Sequence, residues 1–134
     1  MNLWTNHLVS TQYIDSIYHS NKPSLNKVDI HEINFHRDGP KISIRINLND
    51  YPENPPKKWV TQKFNTVQLT LSLIGIEDVK LSGWIDTNYI ADIKIEKIDG
   101  KIHMNLNSDN LKLIARASFI DIESIIAYTK VSVE

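Results

Sequence analysis

A chain of 134 residues with 15 lysines and arginines against 16 aspartates and glutamates has a formal net charge of −1, so it lacks the basic surplus that draws a protein to nucleic acid or to an anionic membrane. It has no cysteine, which removes disulfide frameworks and thiolate zinc sites and makes a reducing cytoplasm the expected home. The start MNLWTNHLVS has no basic segment leading into an apolar core, and no apolar run approaches the roughly 20 residues of a spanning helix, so the expectation is an unexported, soluble protein with one domain over residues 1–134 and one core.

Helical spacing occurs near the start. Tyr13, Ile14, Ile17 and Tyr18 fall on one face of a helix over residues 11–19, with Ser10 or Thr11 placed to accept from an orphan amide, and Asn21 to Pro23 ends it. Period-two alternation then takes over. Val28 and Ile30 share one face, Ile33 and Phe35 the other parity, and the change predicts a bulge or twist near His31 and Glu32. Arg37-Asp38-Gly39-Pro40 is a turn. Ile42, Ile44, Ile46 and Leu48 alternate with Ser43, Arg45 and Asn47 in a half-buried strand, and Val67, Leu69, Leu71 and Leu73 alternate with Gln68, Thr70 and Ser72 in another that Gly75 closes. A separate strand follows, with Val79 and Leu81 inward.

Ile90, Ile93 and Ile95 lead to Asp99-Gly100, a hairpin signal because glycine accepts the positive φ of a tight turn. Ile102, Met104 and Leu106 return, Ser108-Asp109-Asn110 turns again, and Leu111, Leu113, Ala115 and Ala117 share one parity. Residues 119–130 fit a bulged strand or a short helix by spacing, with the β-branched Ile120, Ile122, Ile125 and Ile126 favouring strand. The expected fold is mainly β, an antiparallel sandwich or strongly curved sheet of about eight strands with one short N-terminal helix.

Between the two strongest strand patterns lies Asp50 to Asn65, DYPENPPKKWVTQKFN. Prolines at 52, 55 and 56 remove backbone donors and fix φ, which excludes a central strand or a helix interior and predicts a defined loop. A stiff loop bearing aromatic and charged side chains is a binding element, because prolines reduce the entropy lost on ordering and Tyr and Trp give large contact area with few rotatable bonds. Tyr51, Glu53, Lys57, Lys58 and Trp59 are the candidate contact residues.

Catalytic patterns are missing. In His31-Glu32 with His36 the second histidine comes one residue late for a zinc-protease spacing, Phe35 standing in its place, and on a strand His31 and Glu32 point to opposite faces. His7, His19 and His103 are scattered, no serine sits in a nucleophile elbow, and Gly39, Gly75, Gly83 and Gly100 form no phosphate loop. The expectation is no catalytic residue, no metal and no cofactor. Asp50 and Glu53 beside Trp59 are the one paired-carboxylate candidate for a glycosidase site, set against a reading in which Asp50 holds loop amides. Trp84, on its expected strand, reads as core.

Three stretches, IHEINFHRDGP, NDYPENPPKKW and KFNTVQLTL, in this order and spacing, together with Trp4 and the closing strand around Ile125 to Tyr128, resemble the immunity protein 50 family of bacterial polymorphic-toxin systems. The resemblance covers most of the chain. It implies a small cytoplasmic protein that binds and blocks a toxin domain, without catalysis, and carries no catalytic residues to transfer. The alternative from a different class is a carbohydrate-binding β-sandwich module, which requires at least two of Tyr51, Trp59, Phe64 and Trp84 to form an exposed, roughly coplanar platform. A metal-dependent or glycosidase-like enzyme and a structural interaction subunit are further readings. Oligomeric state stays open.

Overall fold

The aliphatic alternation produces six strands: β1 (Val28–His36), β2 (Lys41–Asn47), β3 (Thr66–Gly83), β4 (Ile90–Ile98), β5 (Lys101–Asn107) and β6 (Leu111–Tyr128). The computed structural model describes residues 3–85 and 88–131. The strands pair antiparallel in the order β1-β2-β3-β6-β5-β4, and β4 meets β1 to close a barrel. Closure is made at one corner, where Val28 pairs with Ala91 and Asp29 with Ile90, and where the Ile93 amide donates to Leu25 O at 2.9 Å.

Six strands in one closed sheet replace the expected eight in a sandwich or curved sheet. The reason is that β3 and β6 are each 18 residues long and each covers what the sequence presents as two strands. Gly75 does not close its run. It sits inside β3 at φ 73°, where an added Cβ would lie 3.0 Å from Ser118 Oγ, so glycine lets the strand bend without breaking the ladder to β6. Just beyond it the register slips between Ile76 and Asp78, leaving Glu77 as the extra residue, and a second slip between Thr70 and Leu71 leaves Glu123 extra in β6. Such bulges sharpen local twist and turn one ladder through a corner. The bulge expected near His31 and Glu32 is present, with the register shifting between Ile30 and Glu32. Residues 119–128 are strand, continuous with the rest of β6.

The core lies where the expected faces meet. Ile42, Ile44, Ile46, Val67, Leu69, Leu71 and Leu73 are all 1% exposed or less, and Leu48 is buried beside them. From the other half of the barrel Ile93, Ile95, Ile102, Met104, Leu106, Leu111, Leu113, Ala115 and Ala117 point into the same cluster. Helix α1 (Gln12–Tyr18) buries Ile14, Ile17 and Tyr18 against it, while Tyr13, expected on that face, is exposed. A single 3-10 turn at Trp4–His7 precedes α1, and the Trp4 indole donates to Pro23 O at 2.7 Å. Two expectations about side chains fail for a shared reason. Leu81 has inward parity opposite Leu113 but is 42% exposed, and Trp84 lies beyond the end of β3, 45% exposed and stacked on Tyr89. The distal part of β3 is an edge, where Ile76 and Val79 are only partly buried against the core.

Candidate functional site

The outward face of β1, β2, the first half of β3 and the end of β6 is polar, as alternation requires, yet four of its side chains are buried: Ser43, Asn47 and Ser72 at 4% exposure and Gln68 at 9%. Cross-strand register explains this. Ser43 lies opposite Ser72, Asn47 opposite Gln68, and Arg45 between them opposite Thr70 on one side and Glu32 on the other, so longer side chains roof the shorter ones. Arg45 donates from Nη2 to Glu32 Oε2 at 3.2 Å and from Nη1 to Gln68 Oε1 at 3.3 Å. Gln68 Nε2 donates to Asn47 Oδ1 at 3.2 Å, and Asn47 Nδ2 to the Tyr128 hydroxyl. One chain of hydrogen bonds thus crosses four strands.

A second centre adjoins it. The extra residue of the β6 bulge, Glu123, lays its carboxylate over the serine pair, and Oε1 accepts from Ser72 at 2.9 Å, Lys41 at 3.1 Å and Ser43 at 3.3 Å. The Ser72 hydrogen bond first, and then Lys41, hold its carboxyl below the usual range, so it is ionised at neutral pH. His36 Nε2 lies 3.4 Å from Ser43 Oγ at the rim. Among the described residues no buried side-chain polar atom lacks a partner. The face is therefore polar, with its buried side-chain groups partnered.

The proline segment joins β2 to β3 at the Asn47 end of this face. It is a fixed loop, but it also contains a short helix that proline spacing did not suggest, α2 (Lys57–Thr61), with Pro56 as N-cap residue. Pro55 and Pro56 stand before the first helical residue, where missing donors cost nothing. The loop is fastened at both ends. Asp50 Oδ2 accepts from the Ser24 amide at 2.8 Å and Asp50 O from the Tyr18 hydroxyl at 2.7 Å. At the exit Asn65 exchanges side-chain bonds with Lys130, accepting from its amide at 2.8 Å and donating to its carbonyl at 3.0 Å. Burial raises the Tyr18 and Tyr51 hydroxyls above the ordinary tyrosine value.

The five candidate contact residues separate into two kinds. Tyr51 and Trp59 are half-buried, pack against the core and face each other with ring centroids 6.3 Å apart and planes tilted by 44°. Glu53, Lys57 and Lys58 are exposed. The tilt means that Tyr51 and Trp59 form no coplanar platform, and Trp84, at the opposite end of β3, joins neither. Asp50 is engaged in holding the Ser24 amide, the structural role weighed against a carboxylate pair. His31 and His36 are not brought together around a common point, His31 Nε2 lying 3.4 Å from Asp29 Oδ2, and among the described residues no three His, Asp or Glu side chains converge as metal ligands. A shallow depression of 550 Å³ between the N-terminal turn and β4 is lined by Trp4, Pro23, Ser24, Leu25, Asp50, Ile93 and Glu96 among others. No described helix is long and apolar enough to cross a membrane.

Sequence reasoning did not pick out Arg45, Gln68, Asn47, Ser43, Ser72 and Glu123 as a unit. The alternation marked most of them as solvent-facing, and only the register, with its bulge at Glu123, makes neighbours of residues up to 80 positions apart. Fold and surface define a small β-barrel protein whose distinctive chemistry lies on a sheet face and a stiff loop. The chain belongs to the immunity protein 50 family, whose model matches residues 10–128. No curated protein and no solved structure matches it.

Proposed function

We propose that this is a non-enzymatic immunity protein that binds and neutralises a cognate bacterial toxin domain in the cytoplasm, and that the proline loop, through Tyr51, Glu53, Lys57, Lys58 and Trp59, contributes to the contact. Membership of the immunity protein 50 family supports the partner class. The observation that carries the choice of surface is the loop itself: a segment tied at Asp50 and at Asn65, with two half-exposed aromatic rings beside a lysine pair. Pre-ordering lowers the entropy lost on binding, and aromatic anchors commonly cost about 2 kcal/mol or more when cut to alanine. The lysines act at the rim, where charge changes association rate more than affinity.

Because Trp59 also packs on the core, its loss has two consequences that must be measured apart. The test is melting temperature and toxin affinity on the same Trp59→Ala, Tyr51→Ala and Lys58→Glu variants, with toxin taken from the gene beside this one. Weaker binding by Tyr51→Ala or Lys58→Glu at unchanged melting temperature supports the loop as a contact surface. Wild-type affinity in all three variants removes the loop from the interface.

A further inference from the structure

Among the described residues the distal half of β3 is a long strand edge with a partner on one side alone. Beyond Ile74 the strand β3 has lost β2, and over Ile76–Gly83 its ladder runs to β6 alone. On the other side the Gly75 and Ile76 amides both donate to Pro40 O. Elsewhere segments outside the sheet meet strand edges at single points: Leu8, Val9 and Ser10 lie against β6 at Ile120 and Asp121, and Leu25 O accepts from the Ile93 amide of β4. The open edge also exposes an apolar side chain of inward parity, Leu81 at 42%, beside the partly buried Val79.

An open edge presents backbone donors and acceptors that only another extended chain satisfies, and natural proteins usually blunt such edges with charge. Here the charges are arranged so that they do not oppose pairing. Asp78 and Lys80 lie on the outer face, opposite Arg116 and Ile114, and flank Val79, whose partner Ala115 is buried. Among the described residues neither Asp78 nor Lys80 has an ion-pair partner in its own chain. If two such edges run antiparallel about a two-fold axis through Val79, Asp78 of each copy stands opposite Lys80 of the other, at the close spacing of cross-strand pairs. The pattern is complementary to itself, as an isologous interface requires.

We infer that the distal half of β3 is a self-association surface whose occupant is a second copy of this chain, paired edge to edge through residues 78–80 and continuing the sheet across the two-fold. The contact is short, so the association is concentration-dependent. It lies at the other end of β3 from the proline loop, and the two copies keep both loops free.

Sedimentation velocity up to about 1 mM, with amide hydrogen exchange at low and high concentration, tests this. Wild type is expected to shift from monomer to dimer, with slowed exchange confined to the Ile76–Gly83 edge. Lys80→Asp faces acid with acid and weakens the dimer by about tenfold or more, while Asp78→Lys combined with Lys80→Asp restores it. A monomer throughout the range, slowed exchange at another surface, an unchanged dimer in Lys80→Asp, or failure of the folded double variant to recover would each overturn the proposal. Far-UV circular dichroism and melting temperature on every variant establish that the folded state is being compared.

Discussion

The two halves of β3 share one backbone and one partner strand, yet they behave as different kinds of structure. From Thr66 to Leu73 the strand lies between β2 and β6, and six of its eight residues are buried, Gln68 and Ser72 on the outer face among them; from Ile74 to Gly83 none is buried. Alternation is present in both. The difference is cover: the first half has the opposite wall of the barrel inside and a roof of long polar side chains outside, whereas the second has partial cover inside, at Ile76 and Val79, and no β2 beside it. A period-two pattern therefore says which way a side chain points, and tertiary packing says whether anything is there to meet it.

The contrast breaks most sharply at paired positions. Leu71→Ala, at a site with 0% exposure, is expected to destabilise by about 2–5 kcal/mol, whereas Leu81→Ala, same residue type and same parity on the same strand, should stay within about 1 kcal/mol; chemical denaturation of both measures it. If the two costs were equal, the distal half would be buried in solution. Gly75→Ala tests the joint between the halves: φ of 73° and a Cβ 3.0 Å from Ser118 Oγ predict a loss of about 1–3 kcal/mol, and straightening of the bend. A gain in stability would show that the bend is not imposed at this residue.

On the roofed half, Glu123→Ala leaves the Ser43 and Ser72 hydroxyls without their carboxylate acceptor and should cost about 1–3 kcal/mol, read by thermal melting. The pH dependence follows from the depressed carboxyl of Glu123. Because its folded value lies below that of the unfolded chain, the unfolded state takes up the proton first on acidification. The contribution is complete above the ordinary glutamate range, about pH 4.3, and is lost as pH falls through the depressed value. Glu123→Gln should flatten that part of the stability profile. At the small end, Lys58→Ala on the exposed loop should change stability by no more than about 0.5 kcal/mol while slowing toxin association at low salt, an effect that stopped-flow measurements resolve and high salt erases.

Much of this was legible in the residues. Ile42 to Leu48, Val67 to Leu73, Ile102 to Leu106 and Leu111 to Ala117 point inward as their alternation says, and Asp99-Gly100 makes the turn that positive φ demands. What could not be read was continuity. A glycine in a strand pattern marks equally a stop and a bend, and at Gly75 the uninterrupted partner β6 decides for the bend; this join in β3 and the one in β6 across Ser118 turn eight expected strands into six. Helix α2 escaped because its five residues are too few to show a period. Tyr51, Glu53, Lys57, Lys58 and Trp59 were identifiable as a group from the prolines around them. The Arg45 and Glu123 networks were not, since they depend on bulges and registers that bring distant strands together.

The long β3–β6 ladder also sets when this protein can take shape. It joins Thr66 to Tyr128 at one end and Gly83 to Leu111 at the other, so no rung forms until the second strand emerges from the ribosome. Synthesis at roughly 5–20 residues per second separates the two by seconds. During that interval β3 has only β2 beside it and its β6-facing edge bare. Sheets built from such distant pairings fold in milliseconds to seconds once complete. Residues 66–83 therefore wait for the last strand made, the one that completes their ladder.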